Sequence, residues 1–206
     1  MVDAMATAGK SALRERLVAA RRDIADDVRA AEARMLAQHL EQVVTPGSTV
    51  CAYVPVGSEP GSIDMLDALL RRADRVLLPV ARTTSDCGAH DTPLPLRWAE
   101  YRPGGLVAAR WGLLEPAKPW LPESALGEAG LVLLPALAVD RRGVRLGRGR
   151  GFYDRSLPAR DPQAQLIALV RDAEMVDELP CEPHDVPMTH ALTPRRGLIA
   201  LPIGNE

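Results

Sequence analysis

Five short runs of aliphatic residues constrain the fold of this chain more than any other feature. They lie at residues 49–55, 76–80, 131–134, 166–170 and 198–201. The runs are continuous instead of alternating with polar residues, a pattern typical of strands that are buried on both faces. We therefore predict an α/β fold in three layers, Rossmann-like, with a mainly parallel central sheet and helices on both faces.

Helical patterns precede and separate these runs, as a parallel sheet requires. The turn at 45–47, Thr-Pro-Gly, ends the second of them. The middle of the chain, residues 81–123, is rich in proline and glycine and carries only two candidate strands, at 94–98 and 106–109. The helical patterns lie at residues 10–24, 26–44 and 62–72.

The size and composition of the chain fit one compact domain. Of its 206 residues, 47% are hydrophobic and 25% are charged, and no repeat or linker divides them, so we predict a single domain over residues 1–206. No apolar run approaches the roughly 20 residues that cross a bilayer, and no secretory signal is readable. Cys51, Cys87 and Cys181 form no Cys-x-x-Cys pair. We expect a cytoplasmic monomer with reduced thiols and no membrane partner.

The segment at residues 140–157, DRRGVRLGRGRGFYDRSL, has the composition of an anion site. Three glycines alternate with Arg148 and Arg150, so the backbone can approach a ligand closely while its N–H groups and two guanidinium groups point at oxygens. A polyphosphate fits that chemistry. If the following residues begin a helix, its N-terminus adds a favourable dipole, and Asp154 is placed to hold Mg²⁺ on the phosphates.

Three familiar motifs do not match. The loop lacks the spacing of a Walker A motif and the third-glycine spacing of the dinucleotide fingerprint. His184 and Asp185 lie between Pro183 and Pro187, not on the helix that a metal phosphohydrolase site would need. A formal net charge of −2 argues against a nucleic-acid surface. The remaining alternative is a glycine-rich surface turn with solvated arginines.

Two further features point to an anion and a second ligand. Lys10, Arg14 and Arg21 lie within about 40° of one another on a helix of about 3.6 residues per turn. Lys10 and Arg14 repel each other at this spacing, and an anion bound between them would offset the repulsion. The alternative is that both side chains are solvated and bind no ligand. Glu59 follows the first predicted strand, at the edge where open α/β sheets bind ligands. Its alternative role is a turn residue near the N-terminus of the next helix.

Taken in order, these segments resemble the 5-formyltetrahydrofolate cyclo-ligase family, also called 5,10-methenyltetrahydrofolate synthetases. The glycine and arginine loop with its Tyr-Asp pair is the specific part of the match. Phe152 stands where the family more often has tyrosine, and residues 82–100 match poorly. The matching parts are KSALR at 10–14, YVPVGSE at 53–59, GLLEP at 112–116, LLPALAVDRRGVRLGRGRGFYDR at 133–155 and His184-Asp185.

The resemblance implies ATP- and Mg²⁺-dependent closure of 5-formyltetrahydrofolate to 5,10-methenyltetrahydrofolate, with release of ADP and phosphate. ATP would phosphorylate the formyl oxygen, and N10 would then close the ring. By position in the family motif, Arg148, Lys10 and Tyr153 would be catalytic, and Asp154 and Asp185 would hold Mg²⁺. The ATP-binding residues would be Lys10, Arg14, Arg145, Leu146, Gly147, Arg148, Gly149, Arg150, Gly151, Phe152 and Tyr153. The substrate-binding residues would be Val56, Glu59, Arg148, Gly149, Arg150, Gly151 and Phe152. Trp98 lies in the poorly matching segment, and we add it as a ring that could stack on the pterin.

Two other classes of function stay open at this point. A protein of this fold could bind a nucleotide or folate without turning it over, although the presence of Lys10, Asp154 and Asp185 counts against this. An ATP-dependent kinase or ligase could act on another small anion, since the phosphate-binding residues are easier to recognise than the second pocket. Folate-dependent ATP hydrolysis would separate these classes. In each case we expect small-molecule partners and no nucleic acid.

Overall fold

The computed structural model describes residues 2–84, 92–182 and 185–202. No helix in these ranges is long and apolar enough to cross a membrane. The α-helices are α1 (Val2–Arg22), α2 (Asp26–Val43), α3 (Ile63–Leu70) and α4 (Phe152–Ser156). The strands are β1 (Thr49–Cys51), β2 (Arg75–Val80), β3 (Arg97–Glu100), β4 (Leu106–Ala108), β5 (Leu114–Pro116), β6 (Leu131–Pro135), β7 (Ala138–Asp140), β8 (Arg145–Leu146), β9 (Gln165–Leu169), β10 (Met175–Val176), β11 (His190–Thr193) and β12 (Gly197–Ala200).

Seven strands form the main sheet, in the order β12, β11, β9, β6, β1, β2 and β3. The strands from β11 to β2 are parallel to one another, whereas the edge strands β3 and β12 are antiparallel to their neighbours. The register places Val50 of β1 between Val76 of β2 and Leu131 of β6, so the aliphatic runs lie side by side. The prediction of a mainly parallel central sheet is confirmed.

The two faces of this sheet are covered in different ways. On one face, α2 and α3 pack Leu36, Leu40, Met65 and Leu69 against the strands, and all four side chains are fully buried. On the other face, the core around Trp98 is covered by α4, short 3₁₀ helices and loops. Helices therefore lie on both faces, as predicted, but those on the second face are only a turn or two long.

The sequence does not predict several of the shorter strands. β7 and β8 form a hairpin that β10 extends into a small three-stranded sheet. β5 is also unpredicted, and it pairs with β4, which coincides with the candidate strand at 106–109. β11 carries His190 and Thr193 at its ends instead of a continuous aliphatic run. The run at 49–55 is a strand only as far as Cys51, after which the chain enters the loop that carries Glu59.

The strand order creates a crevice at the carboxyl edge of the sheet. From β1 the chain passes to β2 on one side, and it later returns to β6 on the other side of β1. The connections that leave β1 and β6 therefore part in opposite directions. Open α/β sheets bind ligands at such a switch point, because the diverging loops leave a gap between them.

Candidate active site

A cleft of about 270 Å³ opens at this crevice, at the carboxyl ends of β1, β2 and β6. Its walls also include the loop after β1, residues near β5, and the glycine and arginine loop at 147–151 between β8 and α4. The segments that the sequence singles out for phosphate and for substrate thus share one cleft. The predicted site residues that line it are Val56, Glu59, Arg145, Gly147, Arg148, Gly149, Arg150, Gly151, Phe152, Tyr153 and Asp154.

The glycine and arginine loop is fixed at its start by α1. Arg14 donates from Nε to the carbonyl oxygen of Gly147 at 2.9 Å. Gly149 lies in the left-handed region with φ of 87°, and a Cβ there would sit 3.2 Å from Arg14 Cζ. Glycine is therefore favoured at this position by both its backbone conformation and the close approach of the guanidinium. Arg14 itself lies outside the lining of the cleft.

Arg145 on β8 fixes the other end of this loop. Its guanidinium donates to Asp154 Oδ1 at 2.8 Å and to the carbonyl oxygen of Pro135 at 3.2 Å. The Arg145 side chain is almost fully buried, whereas that of Asp154 is 37% exposed. The Leu146 side chain is buried in the small core beneath the β7–β8 hairpin, so a ligand could meet this residue only through its backbone.

Arg148 and Glu59 connect the two sides of the cleft. Arg148 Nε donates to Glu59 Oε1 at 2.8 Å, and Glu59 Oε2 accepts from the backbone N–H of Val56 at 3.0 Å. The Glu59 side chain is 9% exposed, whereas that of Arg148 is 47% exposed. The loop after β1 therefore holds the carboxylate, and the guanidinium reaches it from the opposite loop while remaining accessible to a ligand.

Aromatic rings form one wall of the cleft. Trp111 and Phe152 pack with ring centroids 5.9 Å apart and planes tilted by 54°. The Arg150 guanidinium lies 4.7 Å from the Trp111 ring centroid and so makes a cation–π contact with it. Trp111 has φ of 59°, a conformation that is uncommon for a bulky residue. Trp111 is not among the predicted site residues, although it directly precedes the GLLEP segment.

Trp98, by contrast, does not reach the cleft. It is 1% exposed and lies on β3 in the core of the second sheet face, where its backbone pairs with Leu121. Because no long helix covers this face, a large side chain on an edge strand fills the space beneath the short helices. The prediction that Trp98 contacts the substrate is therefore wrong, because its side chain is buried in the core. Trp111 is the tryptophan that faces the cleft.

Two tyrosines line the cleft and stay protonated. Burial raises the pKa of Tyr153 far above its usual value, and the nearby Arg145 only partly offsets this. Burial, followed by the charge of Glu59, also raises the pKa of Tyr53, whose hydroxyl donates to the carbonyl oxygen of Pro60 at 2.8 Å. At neutral pH the Tyr153 hydroxyl can therefore donate a hydrogen bond but is not a base.

Lys10 and Asp185 contact each other outside the lining of the cleft. Lys10 Nζ lies 3.3 Å from Asp185 Oδ2 and 3.0 Å from Glu182 Oε1, and the residue is nearly buried. Burial lowers the pKa of Lys10, but hydrogen bonds and charges from the two carboxylates outweigh burial and raise it overall. Lys10 is thus a charged group already held by carboxylates. His184 lies outside the described residues.

The third cation of the α1 face, Arg21, forms a buried ion pair at the floor of the cleft, and its Nη1 atom is buried with no hydrogen-bond partner among the described residues. Arg21 is 1% exposed and donates to the two Glu174 carboxylate oxygens at 2.6 and 2.7 Å, and to the carbonyl oxygen of Ala136 at 2.6 Å. Glu174 also accepts from the backbone N–H of Arg171, whose guanidinium donates to the carbonyl oxygen of Ser58 at 3.0 Å. This network supports the loop after β1. No local sequence signal predicts it, because its two main partners are 153 positions apart.

The chain is similar in sequence to known proteins along most of its length. Residues 6–194 match the model of the 5-formyltetrahydrofolate cyclo-ligase family. A 5-formyltetrahydrofolate cyclo-ligase of Mycolicibacterium smegmatis is 57% identical over 197 residues, covering 96% of this chain and 100% of the relative. A 5-formyltetrahydrofolate cyclo-ligase of Escherichia coli is 29% identical over 155 residues, covering 74% of this chain and 81% of the relative.

Two solved structures share the fold at low sequence identity. A 5,10-methenyltetrahydrofolate synthetase of Aquifex aeolicus superposes with a TM-score of 0.70 at 20% identity, covering 96% of this chain and 95% of its own. One from Mycoplasma pneumoniae superposes with a TM-score of 0.65 at 21% identity, covering 87% of this chain and 94% of its own. The chain therefore shares its overall fold with both proteins.

Proposed function

Because the chain belongs to the 5-formyltetrahydrofolate cyclo-ligase family, we propose that it closes 5-formyltetrahydrofolate to 5,10-methenyltetrahydrofolate with consumption of ATP. The observation that carries this proposal is the 2.8 Å contact between Arg148 and Glu59 inside one cleft. A guanidinium suits a phosphoryl group, and a carboxylate suits the N–H donors of a pterin. A ring closure that starts with phosphoryl transfer needs the phosphoryl-binding group and the pterin-binding group within reach of each other.

We assign the ATP phosphates to the glycine and arginine loop. Its backbone N–H groups and the guanidinium groups of Arg148 and Arg150 are the donors that phosphate oxygens require. Arg14 supports this loop through Gly147, and Lys10 adds a charge on the same helix. The bond between Arg145 and Asp154 keeps the loop attached to α4, so the donors are held before the ligand arrives.

Asp154 and Asp185 offer the hard oxygen donors that Mg²⁺ prefers. Within the described residues, no group of three or more His, Cys, Asp or Glu side chains could enclose a metal ion. The donors therefore fit a Mg²⁺ that phosphate oxygens hold together with one or two carboxylates, as is usual for nucleotide sites. Arg145 and Lys10 orient these two carboxylates. When bound, Mg²⁺ would supply neutralisation of charge on the transferring phosphoryl group.

The proposed reaction has two steps. The formyl oxygen attacks the γ-phosphorus, the bond to the β,γ-bridging oxygen breaks, and ADP leaves. N10 then attacks the activated formyl carbon, the bond from this carbon to the phosphorylated oxygen breaks, N10 loses its proton, and phosphate leaves. A formyl amide is a poor electrophile until its oxygen becomes such a leaving group. Arg148 would stabilise charge on the transferring group electrostatically, and no Ser or Cys nucleophile is required.

On the folate side, we assign three kinds of contact. Glu59 would accept N–H donors of the pterin, since its carboxylate is held at the cleft by Val56 N–H and Arg148. Val56 and Phe152 offer apolar surface to the rings. Tyr153, which stays protonated, would donate a hydrogen bond to an oxygen at the reacting centre.

Absorbance of the methenyl product at neutral pH tests this proposal. Purified protein is mixed with 5-formyltetrahydrofolate, ATP and Mg²⁺, and each component is omitted in turn. We expect a rise that requires protein, ATP and Mg²⁺ together. ATP binding by folded protein without any rise would indicate a binding module instead, and ATP hydrolysis with another anion but not with this folate would indicate a different kinase or ligase.

We further propose that the enzyme works as a cytoplasmic monomer on these small molecules. Cys51 and Cys181 are free thiols among the described residues, which fits a reducing compartment. Size-exclusion chromatography with light scattering tests the oligomeric state. A stable dimer would contradict this part of the proposal.

A further inference from the structure

A buried donor without a protein partner lies at the floor of the cleft. Arg21 lines the cleft, and its Nε and Nη2 atoms donate to the Glu174 carboxylate and to the carbonyl oxygen of Ala136. Its remaining donors are on Nη1, which has no hydrogen-bond partner in the part of the chain that the structure describes. A buried donor costs free energy until it finds an acceptor, so a ligand oxygen at this floor would be bound favourably.

The position of Arg21 sets this donor apart. Among the described residues, only Trp98 Nε1 shares the lack of a partner, and Trp98 lies in the core outside the cleft lining. Arg14 reaches the glycine and arginine loop at Gly147, whereas Arg21 follows seven residues later on α1, about 10 Å along the helix axis. The Nη1 donors therefore serve a part of the cleft beyond the assigned phosphate site.

This part of the cleft is the side that carries Glu59. Glu174, the partner of Arg21, also accepts from the backbone N–H of Arg171 at 2.7 Å. The Arg171 guanidinium in turn donates at 3.0 Å to the carbonyl oxygen of Ser58, the residue directly before Glu59. One buried network thus holds both Arg21 and the loop that presents the Glu59 carboxylate.

Tyr53 gives a second indication that Arg21 and Glu59 are neighbours. Burial is the largest cause of the raised pKa of Tyr53, the charge of Glu59 raises this pKa further, and the charge of Arg21 lowers it. Because Coulomb interactions weaken with distance, both charges lie near the same hydroxyl. The floor on this side therefore offers an accepting carboxylate together with donating N–H groups.

The charge of Arg21 favours a neutral acceptor over a phosphate. Glu174 already balances this charge through two hydrogen bonds at 2.6 and 2.7 Å. A phosphate at the same place would bring a further negative group into the interior at a high cost in desolvation. A carbonyl oxygen can accept from Nη1 without that cost.

We infer that Arg21 Nη1 donates to the 4-oxo oxygen of the pterin, which makes Arg21 a specificity-determining residue. The inference rests on the proposed function. A pterin presents its 2-amino group, its N3–H and its 4-oxo oxygen side by side along one edge. When Glu59 accepts from the two donors, the adjacent oxygen requires a donor on the same side of the cleft, and Arg21 supplies it. The carbon that carries this oxygen is bonded to the carbon that carries N5, so the contact also helps to position the formyl group on N5.

A comparison of 5-formyltetrahydrofolate with its 4-amino analogue tests this inference. Arg21→Lys keeps a charge opposite Glu174 but removes the Nη1 donors, and Arg22→Lys makes the same change on the next, exposed residue of α1. We expect Arg21→Lys to raise Kd for the 4-oxo compound about tenfold or more. Kd for the 4-amino compound should change less than about twofold, because its amino group is a donor and cannot accept from Nη1. Arg22→Lys should match the wild type with both compounds.

The ratio of the two Kd values distinguishes recognition from a structural role. A general disturbance of the cleft weakens both compounds alike, and the different N3 of the 4-amino compound affects wild type and variant equally, so neither changes this comparison. If Arg21→Lys does not fold, the double variant Arg21→Met with Glu174→Gln removes both charges and leaves no uncompensated buried charge. We expect the same loss of preference for the 4-oxo compound in this double variant.

Binding measured without ATP keeps the inference separate from the proposed function. Trp111 faces the cleft, so tryptophan fluorescence reports binding of both compounds without turnover. If the wild type turns over no folate while the Kd ratio still depends on Arg21, the proposed function fails and the pterin contact stands. If cyclisation occurs but Arg21→Lys shifts both Kd values equally, the inference is overturned and the proposed function stands. Binding of neither compound by the wild type would overturn the inference as well.

Discussion

The floor and the rim of the cleft each hold an arginine against a glutamate, but the two pairs leave different groups available. In the floor pair, Arg21 and Glu174 are almost fully buried and meet through two hydrogen bonds, with a third from Arg21 to a backbone carbonyl. In the rim pair, Arg148 is 47% exposed and meets Glu59 through Nε. The floor pair is therefore committed to the protein, whereas the rim pair presents charge to the cleft.

This difference separates groups that hold the fold from groups that can meet a ligand. Water cannot replace a lost partner in the buried floor pair, so breaking that pair leaves an uncompensated charge. In the rim pair, Arg148 is exposed to water, and the nearly buried Glu59 carboxylate keeps its hydrogen bond from Val56 N–H when Arg148 is removed, so loss of Arg148 costs the fold little. An arginine–glutamate pair thus stabilises the fold where it is buried and can bind a ligand where it is exposed. Variants of the floor pair should lose stability, whereas variants of the rim pair should lose activity.

The largest effect is expected from breaking the floor pair. Glu174→Ala leaves the Arg21 guanidinium buried without its carboxylate, so the free energy of unfolding should fall by about 3–5 kcal/mol. Urea denaturation followed by circular dichroism measures this. As a control, Glu178→Ala removes a carboxylate that is 76% exposed and lies 3.2 Å from Arg142, and it should cost less than about 1 kcal/mol. Similar losses in the two variants would contradict the distinction between buried and exposed pairs.

The next effect is expected at the rim, in activity and not in stability. Arg148→Ala should lower kcat for cyclisation by about 100- to 1000-fold, because it removes a positioned donor from the transferring phosphoryl group. Its free energy of unfolding should stay within about 1 kcal/mol of the wild type. Arg141→Ala, an exposed arginine of the β7–β8 turn, is the matched control and should retain activity. Near-normal turnover by Arg148→Ala would rule out the assigned role of the loop.

The main sheet could be predicted because burial on both faces leaves a clear pattern in sequence. β1, β2, β6, β9 and β12 all coincide with aliphatic runs. β11 was not predicted because only its two central residues are apolar, with His190 and Thr193 at its ends, and pairing with β9 and β12 is what makes it a strand. The β7–β8 hairpin escaped because its strands are very short, and its turn depends on the buried carboxylate of Asp140, which accepts from Arg142 and Val144 N–H groups.

The site residues could be predicted from the sequence only where they lie next to one another along the chain. Alternating glycine and arginine identifies the loop at 147–151 without any structure. The pairing of Arg148 with Glu59 joins residues 89 positions apart, and sequence spacing carries no information about such distances. Trp98 was assigned to the substrate and Trp111 was not, because composition does not reveal which ring fills the core and which faces the cleft.

A smaller effect is expected from the other member of the rim pair. Glu59→Gln keeps the size of the side chain but removes its charge, so KM for 5-formyltetrahydrofolate should rise about tenfold through a weaker hydrogen bond to the pterin. KM for ATP should change by less than about twofold, since Arg148 remains. Initial rates with each substrate varied in turn measure both constants. An equal rise in KM for ATP would show that Glu59 acts by positioning Arg148 instead of binding the folate.

The smallest effect concerns Tyr101, whose hydroxyl donates to Asp67 Oδ1 at 2.7 Å, away from the cleft. Tyr101→Phe should lower the free energy of unfolding by about 0.5–1.5 kcal/mol at pH 7 and leave kcat unchanged. Burial, then the hydrogen bond and charge of Asp67, raise the pKa of Tyr101 to about 12. Because the folded pKa lies above the unfolded value of about 10, this stabilisation is complete below pH 10 and is lost as pH rises toward 12. Denaturation curves at several pH values should therefore show the gap between wild type and variant closing over that range, and a constant gap would mean that Tyr101 does not titrate as its buried hydrogen bond requires.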